Sequence, residues 1–596
     1  MTIESILKTS ISEAIKELYD HTISPGEIKL QPTIKEYAGT HTFIIFPFLR
    51  ISKKTPEETG EAIGTYLKDT SGIVAEFNVV KGFLNLDIND RTWLRIFDTD
   101  YSKPPWDLMK PTGEKVMVEY SSPNTNKPLH LGHLRNNFLG YSVSKILKAA
   151  GASVKKVTLV NDRGIHICKS MVAYKNFGHG ETPASSGIKG DHLVGKYYVI
   201  FDKEYKSQVE ALIKKGISKD EALKQAPLMR EAQDFLVQWE QKRPEVLELW
   251  KTMNGWVYDG FNATYRDIGV DFDRTYFESD TYLLGRDIVN EGLEKGVFFS
   301  KPDGSVWIDL SDEGLDEKLL LRSDGTSVYM TQDLGTADLK YKDFKFDQSI
   351  YVVGNEQDYH FDVLFAILKK LGRPYADGLH HLSYGMVDLP GGKMKSREGT
   401  VVDADDLVAE MIETARIKTL ELGKIEEFTE EGAQQLYRIL ALGALKYFLL
   451  KIDPRKRMLF NPEESIQFHG NTGPFIQYTF ARISAILRKA KDLNIDVKKS
   501  HIDKDWTLHE TERDLVLVLN VYGNNLIEAA ETYSPSIIAN YCYELAKNYN
   551  RFYTEVSIFN EENPVRRNFR VALSNQTART IKHGMRLLGI DVPERM

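Results

Sequence analysis

A chain of 596 residues is too long for a single hydrophobic core, and 42% hydrophobic with 27% charged residues, without an excess of Gly or Pro, excludes a disordered or fibrous polymer. The opening Met1-Thr2-Ile3-Glu4-Ser5 lacks the basic start and apolar run of a signal peptide, and no apolar stretch reaches membrane-spanning length, so a cytosolic protein of several domains is expected. Cys168 and Cys542 stand far apart, which excludes a disulfide framework and a four-thiolate zinc site, while a net charge of −8 argues against a general nucleic-acid binder.

Residues 1–105 mix an opening helix with the β-rich runs Phe43-Ile44-Ile45-Phe46 and Gly82-Phe83-Leu84-Asn85-Leu86, and end at the linker-like Lys103-Pro104-Pro105. This pattern predicts a small α+β domain. Residues 115–120 follow as a strand whose Val116, Met117 and Val118 suit a parallel sheet, then a Ser/Pro/Asn turn and a helix from about Gly132. A second βα unit starts at 155–160, and residues 172–256 read as a polar, helical insertion. Apolar runs at 306–310, 349–353 and 382–387 read as further βα units of the same domain, which spans 106–403. Over 404–596 the period is helical, as in Leu436, Ile439, Leu440, Leu442, Leu445 and Leu449, predicting an all-helical domain.

Two segments carry chemistry. In Ser121-Ser122-Pro123-Asn124-Thr125-Asn126-Lys127-Pro128-Leu129-His130-Leu131-Gly132-His133, two imidazoles three residues apart open a helix beside unpaired N–H groups and the positive dipole end, a place for phosphates. Gly132 lets a base or ribose approach the backbone. The alternative is two histidines that merely cap a helix. Far downstream, Gly391-Gly392-Lys393-Met394-Lys395-Ser396-Arg397-Glu398-Gly399-Thr400 is a cationic, glycine-flanked loop after a strand, suited to clamp a triphosphate and to strengthen as charge moves onto pyrophosphate.

Together these segments resemble the HIGH and KMSKS signatures of class I aminoacyl-tRNA synthetases, with His130-Leu131-Gly132-His133 as the first and Lys393 to Arg397 as the second. The resemblance is closest to the arginyl-tRNA synthetase family and runs nearly the whole length. It is carried by Val118-Glu119-Tyr120-Ser121-Ser122-Pro123-Asn124, Ser323-Asp324-Gly325-Thr326, Gly470-Asn471-Thr472-Gly473-Pro474 and the ending Leu588-Gly589-Ile590-Asp591-Val592-Pro593-Glu594-Arg595-Met596. Ser396 stands where the second signature lysine belongs. The resemblance implies that Lys127, just ahead of the histidines, compensates; Lys395 either adds a phosphate contact or is solvated.

What the resemblance implies is a multidomain α/β and all-α chain. A Rossmann-type parallel-sheet catalytic domain is split by an insertion, between a small N-terminal α+β domain and a C-terminal helical bundle. It implies activation of L-arginine by ATP with Mg2+ and transfer to tRNA(Arg), with activation dependent on bound tRNA, in a monomeric cytoplasmic protein without a structural metal. His130, His133, Lys127, Lys393 and Lys395 are the implied catalytic set, and Gly132, Met386 and Val387 join the histidines and Lys393 around ATP. Glu119, Ser121 and Asn124 are implied at the amino and carboxylate ends of arginine, and Tyr329, Asp333 and Gln357 around its guanidinium, a planar fork that wants carboxylates. A cysteine-activating relative would need thiolates that are missing, and an acidic substrate a basic pocket.

Residues 481–500 hold six Lys/Arg against two Asp/Glu, and 541–596 nine against six, so local positive charge sits on the helical part despite the acidic whole. In Tyr541-Cys542-Tyr543-Glu544-Leu545-Ala546-Lys547-Asn548-Tyr549-Asn550-Arg551-Phe552-Tyr553, aromatics interleave with polar and basic groups, as unstacked bases require. Tyr541, Asn548, Arg551 and the terminal Met596 are therefore candidate tRNA contacts, against the alternative of aromatics that fill a helical core. The N-terminal domain is implied at the tRNA elbow. His166, in Asn161-Asp162-Arg163-Gly164-Ile165-His166, is either a substrate contact or a satisfied core histidine, the second reading being preferred.

Overall fold

The computed structural model describes residues 2–34, 36–388, 402–421, 423, 428–495 and 507–596. Among them, five parallel strands form the central sheet: β1 (Lys115–Glu119), β2 (Ser153–Val160), β3 (Arg274–Phe277), β4 (Gln348–Gly354) and β5 (Leu379–Tyr384), in the spatial order β5-β4-β1-β2-β3. Val116, Met117 and Val118 are buried, as the central strand of a sheet covered on both faces requires. The order reverses at β1, so the crevice beyond the C-terminal ends of β1, β2 and β4 is the place where a doubly wound sheet receives a ligand.

Two strand expectations change. The run 306–310 is not in this sheet: Val306–Ile308 pairs antiparallel with Phe299–Ser300 and Lys318–Leu321 in a separate three-stranded sheet. The turn Pro302-Asp303-Gly304 returns the chain after too few residues for a crossover helix. β3 instead completes the parallel sheet, four residues too short for hydrophobic patterning to single out. The run 382–387 is broken at Gly385, whose N–H donates to Pro454 O and where a Cβ would stand 2.5 Å from Arg457 N. Val387–Asp388 then pairs in parallel with Met458–Leu459.

Between β2 and β3 lies a helical block that extends past the expected 172–256 at both ends, from the helix Ile165–Phe177 to the helix Pro244–Ile268. After the sheet, long helices run from Ala404–Glu421 to Pro564–Leu587. The N-terminal part is a four-stranded antiparallel sheet with helices Ile3–Tyr19, Pro56–Thr70 and Asp90–Ser102. It docks on the C-terminal helices: Ile3 N–H donates to Asn520 Oδ1 at 2.9 Å, Asn520 to Asp100 at 2.8 Å, and Arg513 pairs with Asp90 at 2.9 Å. No helix among the described residues is long and apolar enough to cross a membrane.

Candidate active site

β1 ends at Glu119 and the chain turns through Ser121 and Ser122 with φ of 75° and 45°. Two successive non-glycine residues in the left-handed region cost about 1–3 kcal/mol each. The surroundings hold them there. Ser121 N–H donates to Asn136 Oδ1 at 2.6 Å, Asn136 donates on to Val352 O at 2.7 Å, and the Ser121 hydroxyl lies 2.7 Å from that of Tyr265. Strain at the mouth of the crevice marks a turn shaped for binding.

His130 is the N-cap of the helix Leu131–Ala149. Its Nδ1 accepts the Gly132 N–H at 3.1 Å, and His133 Nδ1 accepts the N–H of His130 at 3.2 Å, with ring centroids 3.9 Å apart. The N–H groups expected to be open are thus taken by the imidazoles themselves. The capping bonds also fix the tautomer, because a ring that accepts at Nδ1 carries its proton on Nε2, where it can donate. Burial holds His130 down at about 3 and His133 well below the usual histidine range, and the nearby charge of Lys127 adds to both. Both rings are neutral donors. A Cβ on Gly132 would meet the His130 ring at 3.0 Å, so glycine keeps that ring in place.

Lys393 and Lys395 lie outside the described residues. The described chain on either side of that segment is anchored to the histidine turn. Ahead of it, the buried Arg135 donates to Met386 O at 3.5 Å, Pro454 O at 3.0 Å and Lys456 O at 2.9 Å, which places Met386 and Val387 beside the helix that starts at Leu131. Behind it, Leu131 N–H donates to Val402 O and Ala404 N–H to Leu129 O, with a bridge between His130 and Asp403.

Carboxylates gather at the strand ends. Asp333, on the helix Tyr329–Phe344, accepts from His360 Nε2 at 2.7 Å. Tyr329 is 73% exposed one turn earlier. Gln357 is exposed at the end of the turn Asn355–Gln357 that follows β4, and Asn124 is exposed where it bridges Asn161 after β2. Glu119 is buried in an ion pair with Lys340. Ser121 is buried against Tyr265 rather than open to the crevice.

Glu278, which sequence reasoning missed, directly follows β3, and its carboxylate has no hydrogen bond or ion pair among the described residues. Burial pushes its carboxyl up to about 7, Arg163 pulls it down, and Asp162 and Asp333 push it further up. Asp162 steers this corner: it accepts from Ser279 N–H at 2.8 Å, the Ser279 hydroxyl at 2.7 Å and the Tyr258 hydroxyl at 2.9 Å. The available signal was an acid at the C-terminal end of a parallel strand, hidden because β3 is so short.

A cation entering beside Glu278 must displace its proton below pH 7. If arginine is that cation, its apparent affinity is nearly flat above about pH 8 and falls about tenfold between pH 8 and pH 6, since one unit below the pKa nine-tenths of the carboxyl is protonated. Arginine KM measured across that range checks this, and Glu278→Gln is expected to raise KM and flatten the profile. A wild-type profile already flat would remove Glu278 from the cation site.

Comparison with known proteins decides the family. The model for "tRNA synthetases class I (R), catalytic domain" matches residues 105–461, and that for the DALR anticodon binding domain matches 476–596. The chain belongs to the arginyl class I tRNA synthetases. It is 57% identical over 596 residues to the arginine–tRNA ligase of Amoebophilus asiaticus and 55% identical over 598 residues to that of Parabacteroides distasonis, with 100% of both chains covered each time. The arginyl-tRNA synthetase of Thermus thermophilus shares the fold, with a TM-score of 0.75 at 24% identity over 100% of each chain.

In this synthetase the DALR helices hold a groove of about 1260 Å³ lined by Tyr478, Arg482, Lys489, Tyr553, Phe559 and Met596, among others. Arg482 lies 5.0 Å over the rings of both Tyr478 and Tyr553, and Lys489 4.6 Å over that of Phe559. Of the candidate RNA contacts, only Met596 lines it. Tyr541 is a correction: it is buried, its hydroxyl donating to Val518 O at 3.0 Å, because its side of the helix Pro535–Glu555 faces the core. Asn548 is half-buried and donates to Glu544 O at 2.8 Å. Arg551 is held by Glu510, Asp514 and Glu555 at 2.9–3.1 Å, which cancels its charge. His166 is exposed, with Nδ1 3.1 Å from the Tyr198 hydroxyl, and is not a core histidine. Asp191, His192 and Asp405 have metal-ligand spacing, but the Lys189 ammonium already sits among them, 3.1 Å from Asp191 and 2.5 Å from Asp405.

Proposed function

We infer that this synthetase joins arginine to tRNA(Arg) in two steps, a reading supported by two features near the strand ends of the parallel sheet: neutral Nε2–H donors at the helix start after β1 and the carboxylates Asp333 and Glu278. The donors suit a triphosphate and the carboxylates a guanidinium. In the first step the arginine carboxylate attacks the α-phosphorus of Mg-ATP; the bond to the bridging oxygen breaks and pyrophosphate leaves. His130 and His133 donate to the phosphates, with Lys127, Lys393 and Lys395 supplying positive charge and Gly132, Met386 and Val387 flanking the nucleotide. In the second step a terminal ribose hydroxyl attacks the arginyl carbonyl and AMP departs. No covalent enzyme intermediate is needed; positioning and electrostatics supply the rate.

Asp333 and Glu278 receive the guanidinium with Tyr329 and Gln357 beside them, while Asn124, Glu119 and the backbone at Ser121 address the amino and carboxylate ends. The groove around Arg482 and Met596 suits unstacked anticodon bases, because cations over aromatic rings offer both phosphate attraction and stacking. The N-terminal sheet domain is assigned to the tRNA elbow, and the enzyme to the cytoplasm as a monomer. Magnesium arrives with ATP, bridging its phosphates.

The test is pyrophosphate exchange with each of the twenty amino acids, with and without total tRNA. Exchange with arginine alone, and only when tRNA is present, is expected. Exchange without tRNA would remove the tRNA dependence, and equal exchange with lysine would overturn the guanidinium pocket.

A further inference from the structure

Lys340 is 2% exposed, buried on the helix Tyr329–Phe344, and its ammonium meets the carboxylate of Glu119, itself 6% exposed at the end of β1. The rest of its surroundings are aromatic: the nitrogen stands 5.0 Å from the Tyr351 ring centroid and 6.0 Å from that of Tyr276. Burial opposes the charge of Lys340, yet the Glu119 carboxylate, with help from Tyr351 and Asp333, leaves the ammonium above the usual lysine range. Taking two charges out of water costs several kcal/mol per ion, and a well-packed apolar pair is often as stable, so stability alone is a weak reason for this pair. Its position gives a better one. Glu119 leads into the strained Ser121–Ser122 turn, and Lys340 lies two helical turns from Asp333 on the same face.

We propose that Lys340 is a positioning residue for arginine: it fixes the Glu119 carboxylate as the receiver of the substrate's α-ammonium, and so ties that end of the pocket to the helix whose Asp333 receives the guanidinium. The inference rests on the assignment of this crevice to arginine. One helix then sets both ends of the pocket, and the α-ammonium meets a carboxylate already oriented.

The probe is 5-guanidinopentanoate, arginine without its α-amino group, used as an inhibitor of aminoacylation by the full-length enzyme. Wild type is expected to prefer arginine over it strongly. In Lys340→Met and in Glu119→Gln, arginine KM rises at least tenfold, the preference shrinks by a similar factor, and ATP KM stays within twofold; the double variant goes no further than Glu119→Gln. Lys340→Arg keeps a buried cation while displacing the carboxylate, and is expected to shrink the preference at least threefold, which covers the case in which Lys340→Met does not fold. Lower thermal stability in both Lys340 variants with arginine KM and the preference unchanged would make the pair a mere strut and overturn the proposal. If Asp333→Ala also left arginine KM unchanged, the crevice assignment itself would fall.

Discussion

Asp333→Ala is expected to lower kcat/KM for arginine by roughly 30- to 1000-fold while leaving KM for ATP nearly unchanged. Truncating one partner of a desolvated, hydrogen-bonded charge pair costs about 2–5 kcal/mol, and each 1.4 kcal/mol is tenfold. The Asp333 side chain is 35% exposed, so the upper part of that range is discounted for solvent screening. Its hydrogen bond from His360 leaves the other oxygen for a guanidinium. Asp333→Asn separates the contributions, because the amide keeps the hydrogen-bonding shape and loses the charge; it is expected to stay within a few-fold of alanine. Steady-state aminoacylation with arginine and with lysine measures both, and unchanged arginine kinetics in a folded Asp333→Ala variant would take this carboxylate out of the pocket.

The second large effect concerns His130. Removing one preorganised donor from a developing oxyanion costs about 10²–10³ in kcat, and His130→Ala is expected to fall in that range with arginine KM little changed. Alanine also uncaps the helix Leu131–Ala149, at about 1 kcal/mol of stability. Asparagine distinguishes the two roles: it is a good N-cap and can accept the Gly132 N–H, but it cannot place a donor where the imidazole Nε2 reaches. His130→Asn should therefore regain thermal stability without regaining kcat. Recovery of both together would mean that His130 only caps. Because burial holds the ring at about 3, wild-type kcat is expected to show no limb from His130 protonation near pH 6.5.

What the sequence by itself determined was local. The spacing of His130 and His133 at a helix start, the apolar run Val116 to Val118 and the helical period beyond Ala404 depend on neighbours a few residues away, and the structure keeps each of them. The two readings of the histidine pair are compatible, since the bond that caps the helix also sets the tautomer that leaves Nε2–H free to donate. The helical insertion and the aromatic character of Tyr541 to Tyr553 were legible in the same way. Period alone, however, does not say which face of a helix is covered, and Tyr541 went to the core while Tyr553 went to the groove.

Only the tertiary structure decided pairings between residues remote in the chain. Glu278 became an acid without a hydrogen-bond partner among the described residues because a four-residue strand ends beside Asp162 and Asp333. Glu119 met Lys340, and Arg135 bound the carbonyls of Met386, Pro454 and Lys456. The N-terminal domain found its seat on Asn520 and Arg513. A buried charge or polar group is stable only beside its partner, and the partner is chosen by which strands and helices the packing brings together, a property of the whole fold rather than of any window of sequence.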